Sequence, residues 1–117
     1  MRNPYKLRVV ENAFAIAKAT YDATAQFPAT ERFGLVTQMR RAAVSIGSNI
    51  AEGCGRSTPL QVTNFLHYAS GSASELEFQS RLAIRLGLGS DAELTALCGL
   101  LASERKMLAS LVRQLRP

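Results

Sequence analysis

The side chains able to carry chemistry are few and scattered along the chain. His67 is the single histidine, and the two cysteines, Cys54 and Cys98, form no CxxC pair. Nucleophilic catalysis needs a Ser, Cys or Thr held beside a base, and no nucleophile close to His67 in sequence nominates a triad. A di-iron bundle needs paired Glu-x-x-His elements, yet Glu52, Glu75 and Glu77 are not followed by a histidine three residues on. A zinc site needs about four Cys, His or carboxylate ligands, more than the two cysteines and one histidine supply. The Gly53–Gly55 turn follows a helical pattern and carries no lysine, so it is not a phosphate loop. The sequence therefore predicts no catalytic residue, no cofactor and no metal, and a non-enzymatic protein.

The richest stretch is Arg40–Arg56, RRAAVSIGSNIAEGCGR. Read at about 100° per residue, Leu35, Met39, Ala42, Ala43, Ile46 and Ile50 form an apolar stripe with Asn49 at its edge. Arg41, Ser45, Ser48 and Glu52 fall on a narrow polar face, either solvated or part of a buried ion network, which would need well-placed partners. Val44, Gly47 and Ala51 form a third face, small enough to admit another backbone. Glu75 is placed to meet Arg40 or Arg41 across helices. Arg40, Arg41, Asn49, Glu52 and Glu75 are the candidate polar network, with Glu75 read either as a register-setting partner or as a ligand site. Gly53 and Gly55 are expected to end the helix through left-handed conformations.

The elements that position these residues are four helices. Leu7, Val10, Phe14, Ala17 and Tyr21 recur at helical spacing and predict a first helix from Pro4 or Tyr5 to Gln26, ended by Phe27-Pro28. Thr30 is expected to cap a second helix reaching Gly53. Thr58, Pro59 and Gln61 give cap, first-turn proline and capping box for a third. That helix runs to about Leu86, closes at Gly87 and Gly89, and has an inner face of Val62, Phe65, Leu66, Ala69, Ala73, Leu76 and Ala83. Ser90 and Glu93 start a fourth helix, whose seam of Leu94, Leu97, Leu101, Leu108, Leu111 and Leu115 is broken at Glu104. Sustained period-two alternation is missing. Short links between consecutive helices predict one all-α domain over residues 1–117, an antiparallel up-down-up-down four-helix bundle.

FPATERFGLVTQMRRAAVSIGSNIAEGCGR followed by FLHYASGSASELEFQ closely resembles the four-helix-bundle family named after proteins encoded in 23S rRNA intervening sequences. The likeness runs from about Phe27 to Leu88; the basic pair, SNIAEG, GR and GSxxE are specific together. Gly47 stands where the family more often has proline, and Cys54 fills a variable slot. The resemblance implies an antiparallel bundle that assembles into rings, commonly pentamers, most members having no known function. It also implies kinship with the accessory protein of diversity-generating retroelements, which binds a reverse transcriptase and nucleic acid.

A chain of 117 residues with 47% hydrophobic and 20% charged residues has the composition of a folded domain. Its net charge of +5, carried by eleven arginines and three lysines, favours acidic partners and planar contacts with carboxylate or phosphate. Arg56, Arg81, Arg85 and Arg105 are candidate contacts to DNA or RNA backbone or to an acidic protein, as are Lys106, Arg113 and Arg116. Without a recognition-helix motif or stacking platform, such contacts would be to phosphate and salt-sensitive. Exposed Phe78, with Val44, Gly47 and Ala51, is the candidate subunit interface. The N-terminus lacks a signal-peptide core and no apolar run approaches the roughly 20 residues of a span, so no membrane partner and a cytoplasmic location are expected. Two functions follow: a homo-oligomeric scaffold or nucleic-acid-associated accessory protein, or an adaptor for an acidic protein partner.

Overall fold

The computed structural model of the chain describes residues 3–115. Four helices occupy most of them: α1 Arg8–Thr24, α2 Leu35–Cys54, α3 Pro59–Arg85 and α4 Asp91–Gln114. Single 3-10 turns at Pro4–Lys6 and Ala29–Glu31 precede α1 and α2.

Cross-helix contacts fix the topology. Ala13 faces Gly47, whereas Tyr21 and Thr24, later in α1, meet the earlier Arg40 of α2. Ser45 meets Ser72 and Gly53 meets Phe65, so α2 and α3 also run in opposite directions. Glu77 pairs with Arg105, Arg113 lies beside Leu66, and Asn12 bonds to Glu104 while Gln26 reaches Glu93. Every neighbouring pair is therefore antiparallel, and α1 closes against α4. This is the expected up-down-up-down bundle, in a particle of 47 × 22 × 20 Å.

The caps of α3 and α4 form as read, but not the return bonds of a capping box: the Gln61 side chain accepts from Ser57 Oγ at 3.5 Å and that of Glu93 accepts from Gln26. Thr58 Oγ1 accepts from Gln61 N at 3.2 Å and Ser90 Oγ from Glu93 N at 3.3 Å, each satisfying a first-turn donor. Gly87 and Gly89 adopt φ of 71° and 62°, the left-handed geometry that ends α3 and turns the chain into α4. The α2 stripe is buried as drawn, from Leu35 to Ile50. So is the α3 face, except that Phe65 is half-buried.

Three expectations are corrected. Thr30 does not cap α2: after Pro28 the chain makes a 3-10 turn, and the helix begins at Leu35, whose N–H is accepted by Glu31 Oε1 at 3.3 Å. Gly53 is a buried helical residue and Gly55 has φ −87°, so neither ends α2 by a left-handed turn. A Cβ on Gly53 would lie 2.9 Å from Phe65 Cβ, so the glycine is required for close approach of α2 to α3.

The third correction concerns α1. Its buried residues are Val9, Val10, Ala13, Ile16, Thr20, Ala23 and Thr24, while Phe14 is 58% and Tyr21 44% exposed. The inner face is turned away from the aromatics. Thr20 and Thr24 enter the core because their hydroxyls donate to Ile16 O and Thr20 O, both at 2.7 Å. A threonine satisfied by its own helix packs like a small apolar residue.

Candidate functional site

The outward turn of α1 builds a surface feature. Tyr5 and Phe14 stack with centroids 6.4 Å apart at the rim of an open groove between α1 and α2. Its floor is of small residues: Ala13, Ala17, Ala43, Gly47 and Ala51; Val44, 48% exposed, forms the opposite wall. The groove measures about 290 Å³ and no charged side chain lines it. Val44, Gly47 and Ala51 are thus brought together with exposed Phe14 of α1 and Tyr5 of the 3-10 turn before it. Phe78 is 68% exposed on α3 and is not part of this groove. An added Cβ at Gly47 would sit 3.5 Å from Ala13 Cβ, ordinary contact distance. Packing inside this chain therefore does not require glycine there, unlike at Gly53.

The expected Arg–Glu network does not form within the chain. Arg40 turns to α1, where its guanidinium lies 4.5 Å from the Tyr21 ring centroid and its Nε donates to Thr24 Oγ1 at 2.9 Å. Glu52 pairs with Arg56 one turn on, at 3.3 Å and exposed. Glu75 is exposed and accepts from Gln79 Nε2 at 3.4 Å; it shares a shallow depression with Arg41 without forming an ion pair. What joins α2 to α3 is uncharged. Asn49 Nδ2 donates to Ser45 O at 2.8 Å and lies 3.0 Å from Ser45 Oγ, which in turn bonds Ser72 Oγ at 2.9 Å. The Ser45–Ser72 bond is the polar link from α2 to α3 at this level, and Arg41 and Glu75 lie to its side without pairing.

The charged brace lies instead between α3 and α4. Glu77 receives Arg81 from its own helix at 2.9 Å and Arg105 from α4. Burial pushes its carboxyl upward, and the guanidinium groups of Arg105 and Arg81 overcome this and hold it below its ordinary range. Glu104, read only as a break in the leucine seam, is fully buried. Asn12 Nδ2 donates to its Oε1 at 3.0 Å and to Leu100 O at 3.1 Å. Burial raises this carboxyl to about 7, with the Asn12 bond pulling the other way. The available signal was a carboxylate at a heptad core position; its partner on α1 became visible only with the fold.

The candidate cations divide between the two ends of the bundle. The start of α1, end of α2, start of α3 and end of α4 share one end, and with them come Lys6, Arg8, Arg56 and Arg113. Lys106 lines a depression with Arg8 further along the α1–α4 seam, and Arg113 lines another with His67. Nothing in the local sequence pattern marks Lys6 and Arg8, because only the antiparallel fold brings the first helix beside the last. Arg56 stacks on Phe65 at 4.8 Å while paired with Glu52. Arg81 and Arg105 are engaged by Glu77, Arg85 lies in the last turn of α3 at the far end, and Arg116 lies outside the described residues.

Among the described residues no group of three or more His, Cys, Asp or Glu is placed to hold a metal, and no helix is long and apolar enough to cross a membrane. Both cysteines are free thiols, Cys54 buried and Cys98 half-buried. A crystal structure of a protein of unknown function from the S23 ribosomal protein family of Bacteroides thetaiotaomicron is similar in fold. It has a TM-score of 0.79 and 22% identity, over 89% of this chain and 97% of that one. No curated protein sequence matches the chain. The sequence profile described as 23S rRNA-intervening sequence protein matches residues 5–110, nearly the full length and both halves of the groove. The chain therefore belongs to the 23S rRNA-intervening sequence protein family.

Proposed function

We propose that this protein is a non-enzymatic, self-assembling helical scaffold whose repeated basic ends meet the phosphate backbone of DNA or RNA. The observation that carries self-assembly is the uncharged α1–α2 groove, with exposed Tyr5, Phe14 and Val44 above a floor of alanine and glycine. Large apolar side chains gathered over small ones form the kind of surface that another subunit covers, and Gly47 has no steric requirement inside its own chain. A ring of five is the assembly that the family resemblance implies. Each copy adds Lys6, Arg8, Arg56 and Arg113 at one end, so modest phosphate contacts gain by avidity in the assembly.

Light scattering after gel filtration tests the assembly. The native chain is expected to run as an oligomer, and Val44→Glu as a monomer with unchanged helical circular dichroism, since a carboxylate in the groove would be buried unpaired. A native chain of monomer mass at micromolar concentration overturns the reading.

Titration with labelled DNA and RNA at two salt concentrations tests the second half. Binding is expected to weaken steeply with salt, and Arg8→Glu with Arg113→Glu to weaken it by about tenfold or more in low salt. A lack of binding at low salt removes nucleic acid and leaves an acidic protein as the partner of the basic end.

A further inference from the structure

Glu104 is the one ionisable side chain among the described residues that is fully buried. It occupies the seam position between Leu101 and Leu108, both closed to solvent, and only Asn12 bonds to it. Its Oε1 accepts from Asn12, and its Oε2 has no partner. We propose that Glu104 and Asn12 form a proton-operated latch between α1 and α4, closed while the carboxyl is neutral and loosened when it ionises.

The surroundings set the direction of this device. From α1 the charged neighbours of Asn12 are Arg8 and Glu11, and from α4 those of Glu104 are Arg105 and Lys106. From α3 the facing charges are Glu77 and Arg81, with Arg105 and Arg81 both committed to Glu77. On α2, Arg40 is held by α1, Arg41 lies beside Glu75, and Glu52 is paired with Arg56. No cation comes within 4.0 Å of the Glu104 carboxyl among the described residues. An ionised carboxylate there has one neutral donor and apolar walls, whereas the neutral acid needs far less. Outside Asn12 the α1–α4 cleft opens into a depression lined by Arg8 and Lys106. These cations draw the ionised carboxylate outward, at the expense of the seam.

The pH window follows from proton linkage. The unfolded carboxyl titrates near its ordinary value of 4.5 and the folded one at about 7. Between those values the folded chain holds a proton that the unfolded chain has released. Stability from this group is therefore greatest below the lower value, falls as pH rises across the window, and levels off above the upper one.

Carbon-13 NMR of the glutamate carboxyls, with Glu104 assigned by its absence in Glu104→Gln, reads the titration directly. The native chain is expected to show one carboxyl with a midpoint near neutrality, moved higher in Asn12→Ala. Hydrogen exchange, corrected for intrinsic rate, is expected to lose about tenfold in protection across the middle of α4 from about pH 6 to about pH 8. Glu104→Gln and the seam-completing Glu104→Leu should abolish that dependence, the second serving if the first folds poorly. A Glu104 carboxyl titrating in the ordinary acidic range overturns the proposal, as does α4 protection equally pH-dependent in Glu104→Leu.

Discussion

Replacing Ile16 with alanine is expected to lower the unfolding free energy by about 2–5 kcal/mol, and replacing Phe14 with alanine by less than about 1 kcal/mol. Ile16 is fully enclosed, so truncation leaves a cavity that the surrounding helices fill only in part. Phe14 projects from the same helix two positions earlier, and most of its ring meets solvent in the single chain. Urea denaturation of both variants in the monomeric Val44→Glu background measures the difference without the contribution of assembly. In the native background, Phe14→Ala should show its loss as concentration-dependent stability, because the ring stands at the rim of the groove. Equal losses for the two variants in the monomer would place the inner face of α1 where simple periodicity puts it, with Phe14 inside.

The second large effect is expected at Gly53. Gly53→Val should destabilise the bundle by about 1–3 kcal/mol or more, through overpacking of the α2–α3 contact. The obstacle is Phe65 Cβ at 2.9 Å and Val62 O at 3.4 Å, atoms fixed to the α3 backbone and unable to swing away. Helix propensity alone predicts the opposite sign, since glycine is the poorest former after proline. Gly47→Ala supplies the control: its new methyl meets Ala13 at ordinary contact distance, so the monomer should gain roughly 0.5–1 kcal/mol. Thermal melting of both variants in the monomeric background separates the two glycines. A Gly53→Val variant as stable as the native chain would show that α2 and α3 stand further apart than described.

These two results bear on how the groove comes about. Close contact at Gly53 and the Ser45–Ser72 bond draw α2 tightly to α3 at its C-terminal half. On the other side of α2, small residues face α1 and leave a furrow instead of a filled seam. The same helix thus makes one dry, crowded contact and one open one. This difference separates what holds the monomer together from what is offered to another copy.

Much of this architecture is present in residue order alone. The apolar stripes of α2 and α3, the Thr58 and Ser90 caps, and the glycines at 87 and 89 each act over a few neighbouring residues, so local pattern determines them. The all-α bundle follows, because short links leave consecutive helices no other way to bury their stripes. The small face of Val44, Gly47 and Ala51 was equally legible. Its aromatic rim was not, because Phe14, like Tyr21 further along the helix, looks like a core residue until threonine hydroxyls satisfied within α1 show that the inner face can be small and polar in name only. Charge was the least legible. Arg40, Arg41 and Glu75 have the lengths and spacings to pair, but Arg40 turns to Thr24, Glu75 accepts from Gln79, and the bond from α2 to α3 runs between Ser45, which Asn49 of the same helix also contacts, and Ser72. Glu77 with Arg105 and Glu104 with Asn12 pair across distant parts of the chain, and only the closing of α4 onto its neighbours decides which opposite number each carboxyl meets. Helix boundaries and stripes are properties of near neighbours. The rotation of each helix about its axis, and the partners of long polar side chains, depend on all four helices at once.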